Sequence, residues 1–276
     1  MSAELSVRKV MMRFGGVLAL SDVTFEVEQG QIHALIGPNG AGKTTLLNIL
    51  SAVYRPTAGE VWMAGHDITR LRTEALIALG LARTFQNLEL GRGRTLEQNL
   101  LDGRHHLMSS GVLSLGLRSR KARREEAVHL ARVHEIAEFL GLTRNLKRLV
   151  GTLPYGEQKR IELGRALCAE PRILILDEPV AGMSAEETDS MATAITQAHR
   201  ALDLTVLLVE HNMGFVMDLA DRISVLDFGR IIATDIPDQI RTDPRVIESY
   251  LGDAPHLPEQ TVTASGVLAP SLLNDD

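Results

Sequence analysis

The chain has 276 residues, of which 45% are hydrophobic and 23% charged, and its 29 basic and 35 acidic residues give a net charge of −6. This composition is typical of a globular chain with a sizeable core and excludes a wholly disordered or collagen-like one. The acidic balance disfavours general nucleic-acid binding, which requires a clustered basic face. The length is consistent with two domains or with one domain that carries a subdomain.

Cysteine content and the distribution of apolar residues bear on location. The single cysteine, Cys168, cannot form an intrachain disulfide, which is typical of a reducing compartment. No apolar run approaches the roughly 18 residues of a membrane span. The N-terminal residues lack the basic start and apolar stretch of a secretory signal. We therefore expect a soluble intracellular protein.

Strand patterns dominate the first 36 residues. Alternation of apolar and polar residues predicts strands at Val7–Phe14 and Asp22–Val27, separated by the Gly15-Gly16 pair. A short apolar strand follows at Gln31–Ile36, and Thr45–Leu50 is predicted to be helical.

The pattern becomes helical between about residues 87 and 150. Helices are predicted at Leu96–Leu107 and from Lys121 to Leu140, with a loop at Gly111–Gly116 between them.

The second half of the chain alternates between strands and helices. Strands are predicted at Arg172–Leu176, Thr205–Val209 and Arg222–Leu226, and one intervening helix opens with the capping box Ser184–Glu187. Such alternation predicts a parallel sheet covered on both faces, hence an α/β core interrupted by a helical segment.

A glycine-rich loop lies directly after a predicted strand and before a predicted helix. Its residues match the pattern G-x-x-x-x-G-K-[ST]: Gly37, Pro38, Asn39, Gly40, Ala41, Gly42, Lys43, Thr44 and then Thr45. Glycines let successive backbone N–H groups turn onto phosphate oxygens, and the helix N-terminus adds its positive dipole end. We expect Lys43 to reach the β and γ phosphates and the Thr44 hydroxyl to coordinate Mg²⁺.

Two carboxylates follow a buried strand far along the chain, at Asp177 and Glu178. The carboxyl edge of an α/β sheet is where ligands bind, so Asp177 is expected in the Mg²⁺ shell and Glu178 beside the attacking water. His211 ends the next apolar strand and is expected to contact the γ phosphate. Gln86, in a loop after the 81–85 segment, is a weaker candidate. The histidines lack metal spacing, so Mg²⁺ is the only metal predicted.

In this order, these elements resemble the ATP-binding subunits of ABC transporters over roughly residues 4–252. The segment 153–160, Leu-Pro-Tyr-Gly-Glu-Gln-Lys-Arg, takes the place of the family's signature loop, usually Leu-Ser-Gly-Gly-Gln. Only Leu153 and Gly156 are unchanged, so the usual serine contact to the γ phosphate is missing. Pro154 is well suited to begin a helix, whose free N–H groups could still face phosphate.

This variant loop is similar to that of the ATPases of branched-chain (hydrophobic) amino acid importers. The segments 11–16 (with Ala19-Leu20), 82–86, 210–217 and 243–252 point the same way, whereas 180–184 also resembles urea-importer ATPases. The resemblance implies a P-loop NTPase (RecA-like) α/β core. It also implies an N-terminal antiparallel β subdomain and an inserted α-helical subdomain at about 87–168. Residues 253–276 are expected to form an extended or disordered tail.

The resemblance also implies residue roles. Phe14 would stack on adenine, and residues 37–45 would form the phosphate loop for ATP. Gln86 would join the Mg²⁺ site to the membrane partner. Asp177 would be the Mg²⁺-side carboxylate, Glu178 the catalytic carboxylate and His211 the switch histidine.

Partners follow from the same resemblance. Two ATP-binding subunits, identical or related, would pair head to tail, each offering Tyr155, Gly156 and Glu157 to the ATP of the other. The pair would act on membrane permease subunits at the cytoplasmic face, with a solute-binding protein involved indirectly and no nucleic acid. The alternatives are the ATPase of a urea or amide importer, a non-transport ABC ATPase acting on nucleic acid or ribosomes, and, less favoured, a P-loop kinase or GTPase.

Overall fold

The computed structural model describes residues 3–84, 90–108 and 120–251. Strands and helices alternate along these ranges. The strands are β1 (Ala3–Phe14), β2 (Val17–Glu28), β3 (Ile32–Ile36), β4 (Ala58–Met63), β5 (His66–Asp67), β6 (Leu81–Arg83), β7 (Ile173–Asp177), β8 (Thr205–Val209), β9 (Arg222–Asp227) and β10 (Arg230–Asp235). The helices are α1 (Lys43–Leu50), α2 (Thr73–Ala78), α3 (Leu96–Asp102), α4 (Arg120–Phe139), α5 (Tyr155–Cys168), α6 (Ala185–Leu202), α7 (Met213–Leu219), α8 (Pro237–Thr242) and α9 (Pro244–Leu251). Within these ranges no helix is long and apolar enough to cross a membrane. The predicted loop at Gly111–Gly116 and the predicted tail at 253–276 lie outside the described residues.

The first sheet is a four-stranded antiparallel layer in the order β2-β1-β4-β5. Strands β1 and β2 form a hairpin in which Phe14 pairs with Val17 across the predicted Gly15-Gly16 turn. Gly15 has φ of 55°, a backbone conformation that glycine adopts without steric cost. The two predicted N-terminal strands are therefore confirmed, and both are longer than predicted.

The second sheet has six strands in the order β10-β9-β3-β8-β7-β6. Strands β9, β3, β8, β7 and β6 are mutually parallel, as the alternation of strands and helices predicts. Strand β10 departs from that prediction because it pairs antiparallel with β9 through a short hairpin at Phe228-Gly229. A two-residue connection leaves no room for a crossover helix, so this edge of the sheet is antiparallel.

Strands at the centre of the second sheet are buried on both faces. Leu174 and Leu176 of β7 belong to one apolar cluster, which also includes the buried apolar residues of α3, α4 and α5. Ile173 and Ile175 belong to a second cluster with the first sheet and α1. Residues of a strand alternate between faces, so four consecutive apolar residues bury both faces and hold the end of the strand rigidly.

The helical segment differs from its prediction at one point. Helix α3 ends at Asp102, and a 3₁₀ turn at His105–Leu107 replaces the predicted continuation to Leu107. Gly103 packs so closely on α5 that a Cβ there would lie 2.1 Å from the Arg165 carbonyl oxygen. The turn brings Arg104 to the Cys168 carbonyl and the Glu170 carboxylate. The long predicted helix is confirmed as α4, shifted by one residue at each end.

A buried histidine on β3 makes stability depend on pH. His33 is fully buried, its Nε2 lies 2.9 Å from Ser224 Oγ, and burial lowers its pKa from 6.5 to about 4. Between these values the unfolded chain binds the proton and the folded chain does not, so this group's contribution is present above pH 6.5 and is lost as pH falls towards 4. From pH 7 to 5 we expect urea melts to lose about 2 kcal/mol more in the wild type than in His33→Asn. Equal losses in the two proteins would contradict this assignment.

Candidate functional site

The glycine-rich loop connects β3 to α1 and lies against the β9–β10 hairpin. Gly37 has φ of 152°, and a Cβ there would lie 2.0 Å from the Leu226 carbonyl oxygen. Gly42 caps α1 with φ of 106°, and a Cβ there would lie 2.8 Å from a Leu20 methyl group. Both positions therefore require glycine, and they aim the first turn of α1 at the loop's concave side.

Lys43 is the first residue of α1 and folds back over the loop. Its Nζ donates to the carbonyl oxygens of Gly37 at 2.6 Å and Pro38 at 2.9 Å. Burial lowers the pKa of Lys43, and the negative charges of Glu178 and Asp177 oppose that shift. The amine is thus poised between the loop and the two carboxylates, where it can donate to an anion that enters the loop.

Asp177 ends β7 in a buried position, with 5% of the residue exposed. Its Oδ2 lies 2.9 Å from Arg83 NH2, and its backbone N–H donates to Thr84 Oγ1 at 3.2 Å. Burial raises the pKa of Asp177, and the Arg83 guanidinium opposes the shift. The end of β6 therefore holds both the side chain and the backbone of Asp177.

Glu178 follows in a left-handed backbone conformation with φ of 49°. A non-glycine residue in this region stores strain, and such strain is concentrated at functional sites. Its backbone N–H donates to the Val209 carbonyl oxygen at 2.8 Å, which anchors it to the end of β8. This turn carries the side chain out of the alternation of the strand, so that Glu178 and Asp177 both act electrostatically on Lys43.

His211 lies at the end of the neighbouring strand, with its side chain 63% exposed. Its Nδ1 is 3.9 Å from Glu178 Oε1. The position of the turn is set by Glu210, which is fully buried in its side chain and accepts hydrogen bonds from the backbone N–H groups of His211, Asn212 and Val180. Glu210 therefore ties the loop after Glu178 to the loop that bears His211.

Phe14 ends β1 and packs edge-on against Tyr54, with ring centroids 5.4 Å apart and an interplanar angle of 75°. Both rings are partly exposed, at 43% and 37%. The Tyr54 N–H donates to the Asn48 carbonyl oxygen in α1, so the ring pair is attached to the helix that follows the phosphate loop. An exposed aromatic face fixed in this way is a platform on which a planar base can stack.

The variant signature loop opens α5, which begins at Tyr155 with Pro154 as its N-cap, as the sequence predicts. Gly156 packs against the start of α6, where a Cβ would lie 2.2 Å from Glu187 Oε1. Glu157 accepts a hydrogen bond from Asn145 Nδ2 at 2.6 Å. Among the described residues no hydrogen bond or ion pair joins 155–157 to the phosphate loop of the same chain.

The fold thus brings together Lys43, Asp177, Glu178 and His211, at the carboxyl ends of three adjacent parallel strands. Gln86 lies outside the described residues. In the described part of the chain no cluster of three His, Cys, Asp or Glu side chains could hold a metal.

Three contributors to the site were missed by sequence reasoning: Arg83, Tyr54 and Glu210. Arg83 and Glu210 carried a signal in that each is a charged residue at the end of an apolar strand. Asp177, the partner of Arg83, and Val180, one of the three partners of Glu210, are distant in sequence and could not be read from it.

Comparisons with known proteins show the family of this chain. The profile described as "ABC transporter" matches residues 20–181. The chain therefore belongs to the ABC transporter family, as an ATP-hydrolysing subunit with the α/β P-loop NTPase fold. The profile described as "Branched-chain amino acid ATP-binding cassette transporter" matches residues 230–256.

The chain is also similar to individual relatives and to a solved structure. The chain is 40% identical to the high-affinity branched-chain amino acid transport ATP-binding protein LivG of Escherichia coli K12, over 91% of this chain and 98% of that one. It is also 40% identical to BraF of Pseudomonas aeruginosa, with the same coverage. The crystal structure of the ADP conformation of an ABC transporter's ATP-binding cassette matches this chain with a TM-score of 0.80 and 30% identity, over 92% of this chain and 100% of that one.

Proposed function

We propose that this protein powers the import of branched-chain or other hydrophobic amino acids through a membrane permease by binding and hydrolysing ATP. The observation that carries the proposal is the convergence of Lys43, Asp177, Glu178 and His211 beside the phosphate loop. The solute class rests on the names of the relatives and on the C-terminal profile match.

Several residues would together hold Mg²⁺–ATP. Phe14 would stack on adenine, and the loop N–H groups and Lys43 would bind the phosphates. The Thr44 hydroxyl and the Asp177 carboxylate are hard oxygen donors of the kind that Mg²⁺ prefers, with Gln86 as a further oxygen ligand. Bound Mg²⁺ would neutralise charge on the β and γ phosphates.

The hydrolytic step would use Glu178 and His211. Phosphoryl transfer is mainly positioning and charge stabilisation, so little covalent chemistry is required of the protein. Glu178 would orient or deprotonate the attacking water, and His211 would contact the γ phosphate. The 3.9 Å separation of His211 Nδ1 from Glu178 Oε1 supports a joint action of the two groups at one phosphate.

A second ATP-binding subunit would complete each site. Tyr155 is 43% exposed at the start of α5, which supports a role for this end of the helix, with Gly156 and Glu157, at the nucleotide of a facing subunit. Two subunits, identical or related, would enclose two ATP molecules head to tail and reopen after hydrolysis. In this proposal residues 4–252 form the ATP-binding domain, with an inserted helical subdomain at about 87–168, and residues 253–276 form a tail.

A groove between α2, β6, α3 and α5 is the candidate surface for the permease. Leu76, Ile77 and Ala166 contribute to its apolar lining, and charged side chains, among them Glu74, Asp102 and Arg165, also line it. Arg83 also lines the groove and pairs with Asp177, so an occupant of the groove would lie near the proposed Mg²⁺ site. The protein would then sit at the cytoplasmic face of the membrane through the permease, with a solute-binding protein involved only indirectly.

Replacing Ile77 with glutamate tests this surface. We expect loss of co-purification with the permease and of transport, because a carboxylate desolvated in an apolar contact costs several kcal/mol. The ATP affinity of the isolated subunit should stay within about twofold, since the phosphate loop is untouched. Val128→Glu, on an exposed position of α4, is the matched control. Unimpaired transport by Ile77→Glu would exclude the groove.

The solute class is tested by reconstituting the complex with its permease and binding protein in vesicles. ATP hydrolysis should be stimulated by leucine, isoleucine or valine. Stimulation by urea or short amides, and not by these amino acids, would place the protein with the related importers instead.

A further inference from the structure

The guanidinium of Arg83 joins three elements of the site. We propose that Arg83 is a positioning residue for Asp177, holding its carboxylate and the strand end in the geometry that binds Mg²⁺–ATP. The inference rests on the proposed role of Asp177 and adds a residue to which neither the sequence motifs nor the comparisons assign a part.

The first contact is a buried ion pair. Arg83 NH2 lies 2.9 Å from Asp177 Oδ2, and the two side chains are only 5% and 8% exposed. A charge held this far from water must be paired, and removal of one partner leaves the other uncompensated. With the guanidinium on Oδ2, the other carboxylate oxygen, which has no hydrogen-bond partner among the described residues, is left for the metal shell.

The second set of contacts ties Arg83 to helix α1. Its NH1 donates to Asn48 Oδ1 at 3.0 Å and to Ser51 Oγ at 2.9 Å. Helix α1 begins with Lys43, so one rigid fork spans the helix of the phosphate-binding lysine and the strand of the metal-side carboxylate. A planar guanidinium can make these contacts together, whereas a lysine ammonium is a single point charge.

The third connection is through the backbone. Arg83 pairs with Ile175 in the β6–β7 ladder, and the next residue, Thr84, bonds Asp177 N and the Ile175 carbonyl. The chain then runs into the segment that carries Gln86. Residues that orient a metal ligand in this way typically change metal affinity by about 10–100-fold when removed.

The test compares ATP affinity in excess Mg²⁺ with ATP affinity in EDTA, measured by calorimetry on the intact chain. The ratio of the two affinities gives the contribution of Mg²⁺ to ATP binding and does not depend on hydrolysis. For Arg83→Met we expect affinity in EDTA to stay within about twofold of wild type and the ratio to fall about tenfold or more. Arg83→Lys should restore part of the ratio, because it keeps the charge without the fork.

Arg104→Met is the matched control. Arg104 is also a buried arginine, with its side chain 6% exposed and paired to Glu170 at 3.0 Å, but it lies in the helical segment. It should lose comparable stability and keep the wild-type ratio. If Arg83→Met does not fold, Asn48→Ala removes one acceptor of the fork and should lower the ratio by a smaller factor.

If Arg83→Met folds and its ratio of ATP affinity in Mg²⁺ to that in EDTA is unchanged or raised, the inference is overturned. If Arg83→Met does not fold, an unchanged ratio in Asn48→Ala overturns it. Asp177→Asn separates this result from failure of the proposed function. If Asp177→Asn lowers the ratio and the arginine variant does not, only the role of Arg83 fails. If Asp177→Asn also leaves it unchanged, the Mg²⁺ assignment of Asp177 fails.

Discussion

Glu178→Gln is expected to bind ATP with an affinity close to that of wild type and to lose hydrolysis. A glutamine keeps the size and most of the polarity of the side chain but cannot accept the proton of the attacking water. General-base catalysis contributes about 10²–10⁴-fold to a rate, so turnover in the assembled complex should fall at least about 10²-fold. Release of inorganic phosphate measures turnover, and calorimetry measures binding.

The same variant should also trap the closed pair of subunits. ATP that is bound and not hydrolysed continues to join the two facing surfaces, so the variant should run as a dimer with Mg²⁺–ATP and as a monomer without it. Glu186→Gln, an exposed carboxylate at the start of α6, is the control and should hydrolyse normally. Near-normal phosphate release by Glu178→Gln would remove Glu178 as the catalytic carboxylate.

Lys43→Ala is expected to weaken ATP binding. A hydrogen bond to a charged group contributes about 1.5–3 kcal/mol, which corresponds to a loss of about 10–100-fold in affinity. The protein should still fold, because the interactions removed are the two contacts from Nζ to the carbonyl oxygens of Gly37 and Pro38. Calorimetric titration with ATP in excess Mg²⁺ gives the affinity directly.

A lysine outside the site provides the comparison. Lys147 is 79% exposed and pairs with Glu97, so Lys147→Ala should leave ATP affinity unchanged. Equal affinities for wild type and Lys43→Ala would contradict the assignment of residues 37–45 as the phosphate loop.

Local spacing was enough to predict the central part of the site. The loop at 37–45 is a continuous motif whose glycines are required by backbone geometry, and Asp177 and Glu178 follow a strand recognisable from four apolar residues. The order of strands in the second sheet was not predicted, yet the carboxyl ends of parallel strands meet at one edge whatever that order is. This is why candidates more than 100 residues apart could be placed together.

The roles of the supporting residues were not predictable because at least one partner of each is set by tertiary packing. Arg83 and Asp177 are 94 residues apart and meet only because β6 pairs with β7. Glu210 looks like an ordinary acidic residue at a strand end until its three backbone partners are seen. The left-handed conformation of Glu178 likewise has no signal in the sequence, because the position holds a glutamate and not the glycine that usually marks such a conformation.

The central claim, that separated segments enclose one magnesium-bound triphosphate and that a facing subunit closes it, is tested most directly by an experimental structure of Glu178→Gln with Mg²⁺–ATP. The prediction is Lys43 Nζ within hydrogen-bond distance of the γ phosphate, Asp177 in the metal shell and Gly156 of the facing subunit against the same phosphate. Nucleotide bound away from Lys43, or a triphosphate site left open to solvent in a saturated complex, would contradict it.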